Sequence, residues 1–225
     1  MAGNVANIDP YGPSAGRVHP EHYKRPDSLI IDIHGHIMTE GVDEEVRKHV
    51  PAMSLDAVKY ASPLTREISK KQNEDRHEEL VGVTKRLADM DKMCVDVMAI
   101  SPQPPQMHYD APEALGQETA QKVNDNIANA VSQAPDRLIG LGTVPLQNTD
   151  MALKELDRLI GELGFKGIQI GAQIGKDELS AERLEPFWAR CEELDIPILL
   201  HPTSFASDRF GAHYLTNIIG NPLDT

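Results

Sequence analysis

Five short apolar runs alternate along the chain with longer stretches whose apolar residues recur every three or four positions. The first run, Leu29 to Ile33, is rich in β-branched residues and predicts a buried strand ending in His34-Gly35-His36. Val95 to Ile100, Leu138 to Val144, Gly167 to Gly171 and Ile196 to His201 predict four more strands. Between them, Asp75 to Lys92 places Leu80, Val83, Leu87 and Met90 at helical spacing, with Arg76, Lys85 and Arg86 on its polar flanks. Glu113 to Ala134 reads as a helix with Val123, Ile127 and Val131 on one face. A helix capped by Asn148 or Thr149 buries Met151, Leu156, Leu159, Ile160 and Leu163 and stops at Gly164. Ser180 opens another through Leu194, with Leu184, Phe187, Trp188 and Cys191 as its stripe. Met38 to Asn73 is Pro-punctuated, with short helices expected at Asp43–Val50 and Leu55–Tyr60.

Continuously apolar strands separated by helices describe a parallel α/β sheet covered on both faces. Spacings of about 30 residues fit right-handed βαβ units. There is no Gly-x-Gly-x-x-Gly turn and no Walker loop. His34, His36 and His201 instead fall at the C-terminal ends of strands, the face that carries active sites in a (β/α)8 barrel. The expected fold is therefore a TIM barrel, of which this chain covers about the first five βα units. Residues 1–28, with Pro10, Gly12, Pro13, Gly16, Pro20 and Pro26, read as an extension without periodicity, and 29–225 as the incomplete barrel domain.

Side chains two apart on a strand share a face, so His34 and His36 point the same way. Nine histidines in 225 residues produce roughly 0.4 such pairs by chance, and a hydrogen-bonded pair at a strand end is the plain alternative. A third histidine at a matching strand end favours a shared Zn²⁺ with positions open to water or substrate.

Composition narrows the partners. A net charge of −13 argues against a nucleic-acid surface, while a metal and one or two arginines suffice to hold a small anion. No run of about 18 apolar residues predicts a membrane span, and the N-terminus lacks the basic and apolar segments of a secretory signal. Cys94 and Cys191 are far apart and outside any Cys-x-x-Cys pattern, so buried thiols in a cytoplasmic protein are expected.

Several motifs resemble the amidohydrolase-2 branch of the amidohydrolase superfamily. They are His34-Gly35-His36, Arg86-Leu87-Ala88-Asp89-Met90-Asp91, Arg137 to Pro145, Gly164 to Gly171 and His201-Pro202. Their order and spacing are most similar to aminocarboxymuconate-semialdehyde-decarboxylase-like members. The resemblance implies a metal-dependent, oxygen-independent decarboxylase of a small unsaturated or aromatic carboxylate, a single Zn²⁺ on His34, His36 and His201, and a homodimer. It also implies three further βα units, roughly 100 residues, bearing an acid/base histidine and a metal-binding aspartate. At the end of the fourth strand stands Gln169-Ile170-Gly171, where binuclear relatives carry a lysine, so one metal is favoured. Arg76 and Arg209 are candidates for the substrate carboxylate, although each reads more readily as a surface or ion-pair residue. Gln103, Gln169, Thr203 and Ser204 follow strands on the same face, as do Met107 and His108, and are expected to line the pocket. A hydrolase or hydratase on the same barrel, or a non-catalytic half-barrel scaffold, are the alternatives.

Overall fold

The computed structural model describes residues 24–50, 62–202, 210 and 215–225. Its elements in chain order begin with β1 (Ile31–Ile37), α1 (Val42–Arg47), α2 (Pro63–Asp75), α3 (His77–Val81) and α4 (Val83–Lys92). Then come β2 (Val97–Pro102), α5 (Glu113–Gln133), β3 (Leu138–Gly142), α6 (Thr149–Gly161) and β4 (Gly167–Gly171). A two-stranded hairpin, β5 (Gln173–Ile174) and β6 (Asp177–Glu178), precedes α7 (Glu185–Glu193), β7 (Ile198–His201) and α8 (Asn221–Asp224).

The five long strands form one parallel sheet in the order β1-β2-β3-β4-β7. Sequence order equals spatial order, which is the winding of consecutive βα units of a (β/α)8 barrel. The sheet is curved. In a flat sheet four strand spacings would separate β1 from β7 by about 19 Å, yet the rings of His36 and His201 lie 5.0 Å apart. The strands therefore curl into an arc whose concave side carries the histidines.

The convex side is covered by helices. Val123 and Ile127 of α5, Leu156 and Leu159 of α6 and Phe187 of α7 are buried with Ile100, Leu138, Ile168 and Ile170 of the strands. Each such side chain contributes about 1.5–3 kcal/mol on leaving water. Asn124 ties this layer to the rim of the sheet. Its amide nitrogen donates to the Thr143 carbonyl (2.8 Å) and to Glu155 (2.7 Å), while its oxygen accepts from the Thr143 N–H (2.9 Å). The Asn148 side chain caps α6 by accepting from Met151 N–H at 3.0 Å. Gly164 follows α6 with φ of 68°, a left-handed conformation that favours glycine. Trp188 belongs to the packing: its ring meets Phe187 edge-on at 4.9 Å and its indole N–H donates to the Leu179 carbonyl at 3.1 Å.

Four expectations are corrected. The helix read over Asp75–Lys92 is three pieces, because Arg76 leaves helical geometry and Gly82 is extended (φ −88°, ψ 126°). Arg86 is not on a polar flank but buried. The stretch after β4 holds a hairpin and a 3₁₀ turn (Glu182–Leu184), which shorten the helix expected from Ser180. The first strand starts later, and its apolar residues are not buried: Leu29, Ile31 and Ile33 are 63%, 49% and 68% exposed. Among the described residues β1 pairs with β2 alone, so its outer edge has no second strand partner there. The short helix expected at Leu55–Tyr60 lies outside the described residues.

Candidate metal centre

β1 sets the geometry of the first two histidines. Its pairing with β2 runs Ile31↔Val97 and Asp32↔Met98, slips between Asp32 and Gly35, and resumes with His36↔Ser101. The irregularity leaves the His34 N–H without a ladder partner, and the Asp32 carboxylate accepts it at 3.0 Å. Gly35 is forced by close approach: a Cβ there would lie 2.6 Å from Met98 Sδ and 3.2 Å from the Ala99 carbonyl oxygen. The strand can thus press against β2 while both neighbouring histidines face the concave side.

The imidazoles converge. His34 Nε2 and His36 Nε2 are 3.0 Å apart, and the His34 and His201 ring centroids are 5.3 Å apart. One nitrogen from each of His34, His36 and His201 lies within 4.8 Å of the other two. Tetrahedral Zn²⁺ with bonds of 2.0–2.1 Å needs ligand separations of about 3.3 Å, so shifts of the side chains alone would seat an ion. Three imidazoles are a donor set suited to Zn²⁺ and neighbouring divalent metals.

Two of the rings are held from behind. His36 Nδ1 lies 3.0 Å from the Pro102 carbonyl oxygen and 3.1 Å from Ser101 Oγ. His201 Nδ1 donates to its neighbour's carbonyl, Pro202 O, at 2.8 Å. Ring nitrogens anchored on carbonyls leave Nε2 as the free lone pair, the arrangement metal-ligating histidines adopt. Burial, together with the imidazoles of His201 and His34, holds His36 down at about 4, and burial lowers His201 as well. Both are therefore neutral at pH 7, the form that binds metal.

Beneath the rings the strand ends are bolted together by buried polar groups. Ser101 Oγ contacts Gln169 Oε1 at 2.7 Å and the Gly35 carbonyl at 3.2 Å, and Gln169 Nε2 donates to the Pro102 carbonyl at 3.0 Å. Arg86 of α4 donates to the carbonyls of His36 (2.6 Å) and Glu79 (3.1 Å). Gln106 clamps the chain after β1, its amide exchanging two 2.8 Å hydrogen bonds with the backbone of Thr39.

The structure brings together His34, His36 and His201, with Gln169 directly under them. Gln169 is fully buried with both ends of its amide engaged, so it supports the site from below and presents no free group to a substrate. Gln103 follows β2, half-buried, with its N–H donating to the Ile37 carbonyl at 3.1 Å. Arg76 lies half-buried at the joint between α2 and α3. Met107 is buried, and His108 pairs with Asp43 of α1 at 3.1 Å. Thr203, Ser204 and Arg209 lie outside the described residues. Ser101, Arg86 and Gln106 join the site although the sequence pattern does not mark them as site residues. A polar residue closing an apolar strand, as Ser101 does, was the available signal.

Comparison with known proteins agrees with this geometry. The Amidohydrolase (Amidohydro_2) family profile matches residues 31–221. The 2-amino-3-carboxymuconate-6-semialdehyde decarboxylase of Dictyostelium discoideum is 36% identical over 141 residues, covering 62% of this chain and 39% of that protein. The 2-keto-4-carboxy-3-hexenedioate hydratase of a Sphingobium strain is 27% identical over 202 residues, covering 83% of this chain and 57% of that protein. Among solved structures, 5-carboxyvanillate decarboxylase of Novosphingobium aromaticivorans, with bound manganese and 3-methoxy-4-hydroxy-5-nitrobenzoic acid, superposes with a TM-score of 0.73 at 25% identity. That match covers 93% of this chain and 61% of the other. The chain thus spans less than two thirds of the length of each of these relatives. A profile match over most of the chain, on a parallel arc of five strands with a histidine trio at its C-terminal rim, places the chain in the amidohydrolase family.

Proposed function

We propose that the chain forms the metal-binding part of a non-oxidative decarboxylase acting on a small aromatic or unsaturated carboxylate. The observation that carries the reading is the convergence of three imidazoles on one point, two of the rings anchored through Nδ1. Decarboxylase relatives among the matched proteins support the reaction class.

His34, His36 and His201 would hold one divalent ion. Zn²⁺ is the reading the all-nitrogen donor set favours, and the manganese in the relative's structure makes Mn²⁺ the second metal to test. When bound, the ion supplies positive charge that orients an anionic substrate and stabilises charge developing on its oxygens. In the reaction the bond to the carboxylate carbon breaks, its electron pair stays on the substrate carbon, that carbon takes up a proton, and carbon dioxide leaves. The chain's own contribution is positioning. Asp32 and Arg86 fix the backbone of β1, and Pro102 and Pro202 fix two rings through their carbonyls. On a protein with net charge −13, such a centre supplies the local positive potential that an acidic substrate needs. Arg76, Gln103, Thr203 and Arg209 stay the candidates for contacting that substrate. Cytoplasmic location and a homodimer complete the proposal. Among the described residues no helix is long and apolar enough to cross a membrane.

The test is carbon dioxide release from 2-amino-3-carboxymuconate semialdehyde and from 5-carboxyvanillate, with Zn²⁺ or Mn²⁺ restored after chelation. Metal-dependent release supports the proposal. The matched hydratase motivates a second reading, and water addition to a keto-carboxyhexenedioate without carbon dioxide release would replace decarboxylation by hydration.

A further inference from the structure

The hydrogen atoms beneath His36 can be assigned one by one. Gln169 Nε2 lies 3.0 Å from the Pro102 carbonyl, which only accepts, so the amide nitrogen faces Pro102 and the amide oxygen faces Ser101. Ser101 has a single hydroxyl hydrogen. At 2.7 Å the Gln169 oxygen takes it, and the rival acceptors, His36 Nδ1 at 3.1 Å and the Gly35 carbonyl at 3.2 Å, lie farther off. The hydroxyl therefore turns only lone pairs toward His36 Nδ1 at 3.1 Å. The Pro102 carbonyl at 3.0 Å from the same nitrogen is also acceptor-only. Nδ1 faces two acceptors and must carry the ring hydrogen, which leaves the Nε2 lone pair on the side of His34.

We propose that Gln169 is a positioning residue for the metal centre, which fixes His36 in the Nδ1–H tautomer by holding the Ser101 hydroxyl away from it. The inference rests on the three histidines being the metal ligands. Gln169 and Ser101 are both fully buried, so no water competes for these bonds, and a low-dielectric surrounding strengthens them. An apolar residue of similar size at 169 fills the space but frees the Ser101 hydroxyl to donate to Nδ1. The ring hydrogen then moves to Nε2 and occupies the lone pair a metal needs. Removing the hydroxyl as well abolishes that competing donor, and Pro102 alone restores Nδ1–H.

This gives the proposal an unusual signature, a second mutation that repairs the first. Long-range ¹H–¹⁵N correlations on the metal-free full chain labelled in its histidines report the tautomer of His36. Chelator-competition titrations with Zn²⁺ and Mn²⁺ report affinity. Gln169→Met is expected to populate Nε2–H at His36 and to weaken metal binding roughly 10- to 100-fold. Ser101→Ala is expected to keep Nδ1–H. The Gln169→Met/Ser101→Ala double variant is expected to return to Nδ1–H and to recover most of the affinity. Gln169→Leu provides the same comparison where the methionine variant does not fold. Retention of Nδ1–H in the Gln169 variants would overturn the proposal. So would a double variant as weak as the single one, since the loss would then come from packing. A wild-type chain that binds neither metal would sink the functional reading instead, and the tautomer arm would still decide this inference.

Discussion

Replacing Arg86 by methionine asks how much of the metal centre depends on the backbone that carries it. The guanidinium is buried and donates to the His36 carbonyl at 2.6 Å and the Glu79 carbonyl at 3.1 Å, tying α4 and the end of α3 to β1. Burial lowers its pKa while Asp32 opposes that change, and an arginine stays charged at neutral pH regardless. Hydrogen bonds from a charged donor are worth about 1.5–3 kcal/mol each. Against the two lost bonds stands the recovered cost of desolvating the guanidinium, several kcal/mol in buried sites. A net destabilisation of about 2–3 kcal/mol is expected, because two carbonyls are left without donors in a buried setting. For a chain of this size each kcal/mol moves Tm by about 2–4 °C, so a thermal melt should fall by roughly 5–10 °C. The His36 carbonyl also loses its anchor, and a metal titration of the folded variant should show about tenfold weaker binding, which corresponds to 1.4 kcal/mol. A variant with wild-type Tm and wild-type metal affinity would refute the claim that Arg86 holds the metal strand in place.

Other perturbations probe separate parts of the account. Asn124→Leu strips the Thr143 N–H and carbonyl and the buried Glu155 carboxylate of their shared partner, so urea denaturation should show a loss of about 2–4 kcal/mol. An unchanged midpoint would mean the rim of β3 is held by packing alone. Gly35→Ala drives a Cβ to 2.6 Å from Met98 Sδ and should lower both Tm and metal affinity. A variant indistinguishable from wild type would show that β1 and β2 have slack there. The pH dependence has a defined sign. His36 is held at about 4 in the fold against 6.5 when unfolded, so the unfolded chain binds more protons between those values. The metal-free protein therefore loses stability as pH falls from 6.5 toward 4, by up to about 3 kcal/mol from this residue, and is unaffected by it above 6.5. His36→Gln should flatten that slope, and an equally steep decline in the variant would assign it elsewhere.

The sequence made the strand order and the histidine trio readable because both rest on short-range periodicity. Period-two alternation puts His34 and His36 on one face, and the chain order of the apolar runs gives the parallel winding that brings His201 round to them. What lay beyond it depends on partners distant in the chain. Arg86 falls on the polar side of a long amphipathic helix only if that helix is unbroken, and the extended Gly82 makes α4 a separate piece. Gln169 looks like a pocket residue until register places it under Ser101 and Pro102, 68 and 67 residues earlier. Ile31 and Ile33 read as buried from their chemistry, although burial requires a neighbour on the outer flank of β1 that the described residues do not include.

The most direct measurement is metal content after equilibrium dialysis, for the wild-type chain and for His201→Ala. Three imidazoles meeting at one point predict about one equivalent of divalent metal in the wild type and its loss from the variant. A His201→Ala protein that keeps the same equivalent would contradict the account, because the centre would then not be the place where β1 and β7 converge.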